Sequence, residues 1–381
     1  MKVRLGEVFN LQMGKTPSRA NAEYWADGEN SWVSIADLSG YSKYVGDTKE
    51  RITDLAVQES GIKLVPADTV IMSFKLSLGK TAITKDPVYT NEAIMAFLPT
   101  GKYDVCTDYF FHLFSGRDWS KGTNRAVMGA TLNKETLSNL EIDVPSLEKQ
   151  RRIAAVLDKV SDLIAKRRAQ LDKLDELVKA RFVEMFGYIN LNDRGWNVQP
   201  LGELCKIVRG GSPRPIEKFL GGDVPWIKIG DATAGENIYL RSTREHIVQE
   251  GVCKSRLVKA GSLIFANCGV SLGFARIITF DGCIHDGWLA FEDIDSRLDK
   301  VFLLQTLNQM TEEFRKIAPA GTQPNLNTAI MKAYQQIIPP LQLQKDFIAF
   351  IEQMDKSKLT IQQSLDKLEI LKKALMQEYF G

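Results

Sequence analysis

The stretch SLEKQRRIAAVLDKVSDLIAKRRAQLDKLDELVKARFVEMFG, residues 146–187, contains no proline and no glycine before its last position. Pro145 and Ser146 stand where the N-cap of a helix belongs, and Gly187 stands where a helix ends. Between them, apolar residues mostly follow one another at alternating steps of four and three, the period of a helix that buries one face. The stretch therefore predicts one long helix.

The chain repeats itself at a fixed offset. Pro145 recurs as Pro339 and Gln150 recurs as Gln344, in both cases 194 positions later. Other pairs at this offset are Trp32 and Trp226, Asp37 and Asp231, Ser77-Leu78-Gly79 and Ser271-Leu272-Gly273, and Phe186-Gly187 and Phe380-Gly381. Each copy is far longer than a solenoid repeat and is large enough to fold around its own core. The sequence therefore indicates one unit, duplicated.

Within each copy the composition changes once. Residues 1–145 are rich in glycine, proline and aromatic and β-branched residues, and short apolar runs lie between turn formers. This texture is typical of short strands with a few helices. We predict an α+β chain, with two similar mixed α/β globular domains that are each followed by a long helix. The predicted boundaries are 1–145 for the first domain, 146–187 for the first helix, 188–200 for a connector, 201–339 for the second domain and 340–381 for the second helix.

The apolar positions of the two long helices predict that they pair as a coiled coil. The predicted helix-pairing residues are Ile153, Leu157, Val160, Leu171, Leu174, Phe347, Ile351, Met354, Leu365 and Leu368. Charged residues interrupt both seams, at Arg167 and Arg181 in the first helix and at Lys358 and Lys372 in the second. This exchange either fixes the register or reflects drift of the helix off the heptad repeat.

The connector between the halves sets the direction of the pairing. Residues 147–186 form a helix of roughly 60 Å at about 1.5 Å per residue, whereas residues 188–200 span at most about 45 Å when fully stretched. A parallel pair is hard to connect over that distance. We therefore predict an antiparallel coil with pseudo-two-fold symmetry, which makes a dumbbell with one domain at each end.

Composition bounds the function. Lys and Arg number 49 and Asp and Glu number 47, for a net charge of +2, and 44% of the 381 residues are hydrophobic. No apolar run approaches the length of a membrane span and the first residues lack a signal peptide, so we expect a cytoplasmic protein. No C-x-x-C pair occurs among the cysteines, which argues against a zinc ribbon or a disulfide framework. These are Cys106, Cys205, Cys253, Cys268 and Cys283.

Catalytic motifs are not found. The sequence has no P-loop and no glycine-rich cofactor turn, and TQPNLN at 322–327 resembles an amide-binding methyltransferase loop only weakly. The three histidines lack metal-ligand spacing, which argues against a metal site. His285 lies near Cys283, but its counterpart in the first copy is Asn91, which cannot act as a base. A structural histidine is the simpler interpretation.

Two repeated loops favour binding instead. GKTPSR at 14–19 and RGGSPRP at 209–215 combine glycines, which allow close approach to a ligand, with hydroxyl and basic residues that suit phosphates or base edges. A second pair of loops surrounds the repeated Ser-Leu-Gly motif. The simpler alternative is a tight turn beside a solvated basic face. Trp32, Trp226, Asp37 and Asp231 are interpreted as packing and turn-capping residues.

The order of these motifs resembles a known family. GKTPSR, WVSIAD, SLGKTAI, TLNKETLSNLEIDVPSLEKQRRIAAVLDKV and ARFVEMFG are followed by the second set GGSPRP, PWIKIGD, NLN, IIPPLQLQKDF and ALMQEYFG. The whole chain is similar to the specificity subunit of type I restriction-modification systems. The start of the second long helix departs from the family's P-P-L/I-x-E-Q form, because Leu343 replaces the glutamate.

The resemblance implies a function without catalysis on this chain. Two target recognition domains would each read half of a split site in double-stranded DNA, at a spacing that the helices set. Two partner methyltransferase subunits would bind S-adenosylmethionine, and a further restriction subunit would cleave. No cofactor, metal or membrane is expected on this chain. Divergence between the domains implies an asymmetric target.

The loops supply the expected DNA-binding residues, since Arg and Lys favour guanine and Asn and Gln favour adenine. They are Thr16, Ser18, Arg19, Lys75, Lys80, Arg125, Arg209, Ser212, Arg214, Asn267, Arg276 and Gln323. Because the chain is nearly neutral, we expect modest DNA affinity without partner subunits. The alternative function is a coiled-coil structural adaptor that reads no DNA.

Overall fold

The computed structural model describes residues 1–75, 77–119, 124–126, 129–233, 238–269, 271–318 and 325–381, and for residues 124–126 and 129–131 it describes the backbone only. The chain divides into two compact units. The first unit comprises Met1–Arg168 with Gln363–Gly381, and the second comprises Ala169–Gln362. Each unit therefore takes in a part of both long helices.

The first unit is a mixed α/β domain with two main sheets. Its strands are β1 (Lys2–Arg4), β2 (Phe9–Met13), β3 (Asn30–Val33), β4 (Glu50–Ile52), β5 (Val70–Ser73), β6 (Thr81–Ile83), β7 (Tyr89–Thr90), β8 (Ile94–Pro99), β9 (Asn124–Ala126), β10 (Gly129–Thr131) and β11 (Glu141–Asp143). Its helices are α1 (Leu5–Val8), α2 (Ile35–Gly40), α3 (Asp54–Ser60), α4 (Thr107–Gly116), α5 (Lys134–Ser138) and the start of α6 (Leu147–Phe186), with a 3₁₀ turn at Ala22–Tyr24. The sheet orders are β2-β8-β5-β6 and β4-β3-β7, and β1 pairs with β11 and β9 with β10.

The second unit repeats this plan. Its strands are β12 (Val198–Pro200), β13 (Lys206–Arg209), β14 (Leu220–Ile227), β15 (Tyr239–Leu240), β16 (Glu245–Ile247), β17 (Arg256–Val258), β18 (Leu263–Ala266), β19 (Ala275–Ile278), β20 (Gly282–Ile284), β21 (Trp288–Glu292) and β22 (Gln335–Ile337). Its helices are α7 (Leu201–Leu204), α8 (Gln249–Val252), α9 (Lys300–Gln309), α10 (Thr311–Ile317), α11 (Thr328–Ala333) and the start of α12 (Leu341–Phe380), with 3₁₀ turns at Ile216–Lys218 and Ile229–Asp231.

The duplication read from the sequence is visible in the strand order. The five-stranded sheet β13-β21-β18-β19-β15 corresponds to β2-β8-β5-β6 with one added strand, and β16-β14-β20-β17 corresponds to β4-β3-β7 with one added strand. Strand β5 and its counterpart β18, which lie inside the larger sheets, are buried throughout. Strand β12 lies inside the predicted connector and pairs with β22, so part of that segment is ordered structure rather than a free link.

The long helices have the predicted ends. Helix α6 covers 40 residues; the Ser146 hydroxyl accepts a hydrogen bond from the Lys149 main-chain N–H at 3.4 Å, and Gly187 has a φ of 76°. Glycine reaches this left-handed conformation without the steric cost that a Cβ atom would impose. The capping prediction is confirmed.

In the first unit, the start of α6 packs against the end of α12. Leu157 on α6 shares a core with Leu375 and Phe380, and the Phe380 ring lies 5.4 Å from the Tyr109 ring of α4. Further along α6, Arg168 pairs with Glu369 of α12 at 2.7 Å. Residue numbers therefore rise along α6 from Leu157 to Arg168 while those of their partners on α12 fall. The two segments are therefore antiparallel within this unit.

The second unit shows the same direction of pairing. The Phe182 ring of α6 lies 5.3 Å from Phe347 of α12, and Lys358 Nζ lies 2.5 Å from Asp175 Oδ1 further along. Lys358, which interrupts the predicted seam, is thus neutralised by a carboxylate of the opposite helix. This pair favours the interpretation that the charged seam position fixes the register.

The predicted helix-pairing residues all avoid solvent to some degree. Those that are buried are Ile153, Leu157, Val160, Phe347, Ile351 and Leu365, and those that are half-buried are Leu171, Leu174, Met354 and Leu368.

An ionic cluster joins three segments of the first unit, namely α4, α6 and the segment that follows α2. Lys43 Nζ lies 2.7 Å from Asp108 Oδ1 and 2.6 Å from Asp158 Oδ1, and the buried His112 ring bonds to the same Asp158 oxygen at 2.8 Å. Burial lowers the pKa of His112, and the nearby Lys43 and Lys372 act in the same direction, so that the Asp158 carboxylate offsets this only in part. The histidine is therefore neutral at pH 7.

We predict that acid destabilises the first unit through His112. Well above pH 6.5 the ring is neutral in both states, but as the pH falls through 6.5 the unfolded chain gains a proton that the folded unit resists. The free energy of unfolding therefore decreases as the pH is lowered, by at most about 1.4 kcal/mol per pH unit. Urea denaturation between pH 7 and 5 measures the slope. His112→Gln should flatten it, and an unchanged slope in this variant would refute the prediction.

Candidate nucleic-acid interface

The first glycine loop, residues 14–19, is fastened to the strands beside it. Gly14 N–H donates to the Ile94 carbonyl at 3.1 Å, and Lys15 N–H donates to the Thr90 carbonyl at 2.8 Å. A Cβ atom added to Gly14 would lie 2.2 Å from the Thr90 carbonyl oxygen. The glycine is thus required because the loop passes close to the main chain at the end of β7, whereas the sequence suggested close approach to a ligand.

The second glycine loop, residues 209–215, is held in the same way. Gly210 N–H donates to the Trp288 carbonyl at 2.9 Å, and Gly211 N–H donates to the Ile284 carbonyl at 3.0 Å. A Cβ atom on Gly210 would lie 2.2 Å from the His285 carbonyl oxygen. The repeated glycine therefore has a shared structural cause in both units.

A hydroxyl-carboxylate latch closes each loop. The Thr16 hydroxyl donates to the Glu92 carboxylate and accepts a hydrogen bond from Asn91 Nδ2 at 3.0 Å. In the second unit the Ser212 hydroxyl donates to Asp286 Oδ1 at 2.8 Å. Both hydroxyls were predicted to contact DNA, but in this structure carboxylates of the same unit occupy them. These hydrogen bonds hold the loops in place, and contact of the two hydroxyls with DNA stays a prediction.

The second latch lies in a basic environment. Arg209 Nε donates to the Asp286 carbonyl at 3.0 Å, and Arg214 Nη2 lies 3.9 Å from Asp286 Oδ2. Burial raises the pKa of the Asp286 carboxyl, but the Ser212 hydrogen bond and the charges of His285, Arg209 and Arg214 outweigh it, so the pKa lies below its usual value. The Arg214 side chain is 78% exposed, which leaves its guanidinium accessible to an anionic ligand.

Arg19 of the first loop is already engaged. Its Nη2 donates to Glu50 Oε2 at 2.9 Å, and its guanidinium stacks 3.8 Å from the centre of the Trp25 ring. The hydrogen bond to Glu50 raises the pKa of Arg19 and lowers that of the carboxyl. Ser18 next to it is exposed. In the structure Arg19 is thus paired with a carboxylate at the surface, and its contact with DNA stays a prediction.

The second loop of the first unit is a tight turn after β5. Gly79 N–H donates to the Ser73 carbonyl at 2.9 Å with a φ of 80°, a conformation that favours glycine. The Lys80 side chain is exposed, whereas Lys75 is half-buried with its ammonium 5.2 Å from the Phe74 ring centre. Of these two lysines, Lys80 is the better placed for a phosphate.

The two residues predicted to flank the Ser-Leu-Gly turn of the second unit, Asn267 and Arg276, lie largely inside it. Asn267 has no exposed surface, and its Nδ2 donates to Asn325 Oδ1 at 3.0 Å. Burial lowers the pKa of the Arg276 guanidinium to about 10, and Nη1 donates to the adjacent Ala275 carbonyl at 2.8 Å. The prediction that Asn267 reads a base is therefore not supported by its position, since β18 carries it into the core. Arg276 is only partly accessible.

Two predicted residues cannot be placed. Gln323 lies outside the described residues, and for Arg125 the structure describes only the backbone, in strand β9. Their roles remain predictions.

The Cys/His pair weighed from the sequence does not form a reactive centre. Cys283 has no exposed surface, and burial raises the pKa of its thiol. His285 Nδ1 accepts a hydrogen bond from Gly287 N–H at 2.9 Å, and Nε2 lies 2.9 Å from Asp286. The imidazole is thus held within its own turn. Over the described part of the chain, no group of three His, Cys, Asp or Glu residues could hold a metal ion.

The capping residues behave as expected. Asp37 Oδ2 accepts a hydrogen bond from the Ser34 main chain at 3.0 Å, and Asp231 Oδ2 accepts one from Lys228 at 2.9 Å. Both recurring tryptophans are buried. These repeated residues shape the strand ends that carry the loops.

Sequence reasoning missed the carboxylates of the two latches. Glu92 and Asp286 are separated by the same 194 positions as the other repeated residues, so an acidic residue common to both copies was the available signal. Trp25, which stacks on Arg19, was also missed, because nothing in its local sequence indicates that contact.

Two copies of one scaffold thus present similar loops with different outward side chains. The family described as Type I restriction modification DNA specificity domain matches the chain twice, over residues 1–174 and 193–370. The chain belongs to this type I DNA specificity family. The two matches of the type I DNA specificity family coincide with the two copies that the offset and the strand order reveal independently.

Curated relatives carry the same family name. The chain is 27% identical to the type I restriction enzyme MjaIX specificity subunit of Methanocaldococcus jannaschii, a match that covers 98% of this chain and 90% of that protein. It is 30% identical to the EcoR124I/EcoR124II specificity subunit of Escherichia coli over 42% of this chain and 40% of that protein.

Solved structures of type I restriction-modification proteins share the fold. The S subunit from M. genitalium superposes with a TM-score of 0.57 at 14% identity, covering all of this chain and 96% of that one. A chain of a type I system studied for complex assembly superposes with a TM-score of 0.66 at 19% identity, covering all of this chain and 97% of that one. For this member of the type I DNA specificity family, the described residues include no helix that is both long and apolar enough to cross a membrane.

Proposed function

We propose that this chain reads a two-part, asymmetric DNA target, one part with each unit. The observation that carries the proposal is the duplicated specificity domain, in which both glycine loops share one latch but present different side chains. A shared scaffold with divergent outward residues suits two reading heads of different sequence preference.

The two units offer different chemistry to DNA. The second glycine loop presents Arg209 and the largely exposed Arg214, a side chain that forms bidentate contacts with guanine. Among the DNA-binding residues predicted in the first unit, Ser18 and Lys80 are exposed, while Arg19 is paired with Glu50. The half-site read by the second unit should therefore depend more on arginine.

The long helices would set the separation of the half-sites. Reading heads on one face of B-DNA lie about one helical turn apart, roughly 34 Å, or a multiple of it. Rigid helices fix such a distance better than a flexible linker, because only bending of the helix changes it. We propose that spacer length follows from their length and register.

Catalysis is proposed to reside on partners. In this proposal two methyltransferase subunits bind S-adenosylmethionine and methylate the target, and a restriction subunit cleaves unmodified DNA. The nearly neutral charge of the chain supports the need for partners, since affinity from phosphate neutralisation grows with the number of charges engaged. The buried Cys283 thiol and the tethered His285 support a chain without catalysis.

A coiled-coil structural adaptor would account for the two long helices but not for the two globular units. A structural coiled coil has no need for two globular units that keep the same latch on the same loop. An adaptor that reads no DNA is therefore not favoured.

Sequencing of methylated sites tests the proposed function. The chain is expressed with its partner methyltransferase in cells that lack other modification, and methylated positions are mapped. Residues 201–339 are then exchanged for those of another family member. We expect a two-part motif of which only one half changes; a motif that stays whole or changes in both halves would contradict independent reading by the two units.

We further predict that Arg214→Gln weakens binding to the mapped target by about 10-fold to 100-fold, in line with about 1–3 kcal/mol for an arginine that reads a base. Random duplex should lose much less. Fluorescence anisotropy of the chain with its methyltransferase measures both duplexes at fixed salt. Lys345→Gln, which removes an exposed charge on α12, is the matched control. Equal losses on both duplexes would assign Arg214 to a phosphate instead.

A further inference from the structure

One fully buried glutamine joins the first long helix to its unit. Gln150, in the first turn of α6, accepts a hydrogen bond from Cys106 N–H at 2.8 Å through Oε1. Its Nε2 donates to the Asp104 carbonyl at 3.0 Å and to the Pro145 carbonyl at 2.9 Å. The amide thus ties the start of α6 to the segment that leads into α4.

The second unit contains the same joint. Gln344, in the first turn of α12, is also fully buried and accepts from Asp299 N–H at 2.8 Å. Its Nε2 donates to the Arg297 carbonyl at 2.9 Å and to the Pro339 carbonyl at 2.8 Å. Cys106 is the residue directly before α4, and Asp299 is the residue directly before α9. The residues that bond to the two glutamines therefore occupy equivalent places in the two units.

Each joint uses both amide protons and the amide oxygen. In each joint two main-chain carbonyls accept from the amide NH₂ group and one main-chain N–H donates to the amide oxygen. A glutamate carboxylate lacks the two donors, and the shorter asparagine side chain does not reach both segments. An apolar side chain would leave those buried groups without partners. The chemistry therefore selects glutamine at a single place in each copy, although the surrounding sequence differs.

We propose that Gln150 and Gln344 are positioning residues that fix the angle between each long helix and its unit, and that they thereby enforce the spacing of the two DNA half-sites. This inference rests on the proposed function. Neither residue contacts DNA in the proposal.

The length of the helices makes this angle consequential. A helix of 40 residues is roughly 60 Å long, so a swing of about 5° at its start moves the far end by about 5 Å. Successive base pairs are separated by about 3.4 Å. A loosened joint would thus allow the heads to fit sites whose spacer is one base pair longer or shorter.

The test compares modification at correct and altered spacers. Cells express the full chain with its partner methyltransferase, and sequencing measures methylation at sites with the same two half-sites but spacers changed by one base pair. We expect Gln150→Leu and Gln344→Leu to raise the ratio of altered-spacer to correct-spacer methylation by about 10-fold, while both half-site sequences stay the same. Gln353→Leu, an exposed glutamine of α12, should leave the ratio unchanged.

Stability loss and loss of positioning are separable in this design. A merely structural role lowers methylation at all sites together and leaves the ratio unchanged, and that result in every joint variant would overturn the proposal. Gln150→Met and Gln344→Met keep the length of the side chain and bury no charge, so the same methylation ratio is measured in them if the leucine variants fold poorly. If the wild-type chain directed methylation to no two-part motif, the proposed function would be refuted, and the positioning role of the two glutamines would be refuted with it.

Discussion

Replacing Phe186 with alanine should lower the free energy of unfolding of the second unit by about 3–5 kcal/mol, the usual cost of removing a buried phenylalanine ring. Phe186 has no exposed surface and closes α6. Its ring lies 4.8 Å from that of Phe302 on α9, 5.4 Å from that of Phe347 on α12 and 5.0 Å from that of Phe182. The substitution therefore opens a cavity where three helices meet.

Urea denaturation of the full chain, followed by tryptophan fluorescence, measures this loss. Tyr188→Ala is the matched control, because it removes an aromatic ring only two residues away that is 56% exposed. We expect a shift of less than about 0.5 kcal/mol for the control. Equal shifts for the two variants would show that the aromatic cluster does not hold the second unit together.

Gly14→Ala should displace the first glycine loop and destabilise the first unit by about 3 kcal/mol, at the upper end of the cost of forcing extra volume into a packed site. The new Cβ would lie 2.2 Å from the Thr90 carbonyl oxygen and 2.3 Å from that of Asn91. Both are main-chain atoms, which cannot move aside as a side chain does. The latch between Thr16 and Glu92 should open as the loop shifts.

A second glycine of the same unit supplies the control. A Cβ atom on Gly40, the last residue of α2, would meet no atom within 4 Å, so Gly40→Ala should be neutral or slightly stabilising. Thermal denaturation of both variants measures stability. Methylation of the mapped target should be lost in the Gly14 variant at a temperature where the Gly40 variant retains it. A Gly14 variant that is fully stable and fully active would contradict the close approach of loop and strand.

Features with local causes could be predicted from the sequence. The helix predicted for residues 146–187 is α6, Leu147–Phe186, because its cap, its apolar period and its terminal glycine all lie within the segment. The antiparallel direction followed from the length of the connector. The duplicated topology followed from the 194-residue offset, since aligned residues in a repeat occupy equivalent places in each copy.

Roles that depend on distant partners could not be predicted. Glycine, threonine and serine in a turn suit a ligand contact as well as an internal tie, and only folding shows that Thr16 meets Glu92. Asn267 follows a buried strand directly, but the strand's end could not be located closely enough to place it inside. Arg19 reads as a free cation until Glu50 and Trp25 are seen beside it.

The placement of Gln363–Gly381 in the first unit affects how the protein is made. Leu375 and Phe380 pack into the core that the first strands begin, so this core stays open on the ribosome until residues 375–380 have been synthesised. Domains ordinarily fold in the order of their synthesis. Here the ribosome completes all residues of the second unit, Ala169–Gln362, before it completes those of the first unit. A chain terminated before residue 363 would leave the core of the first unit with an uncovered apolar surface.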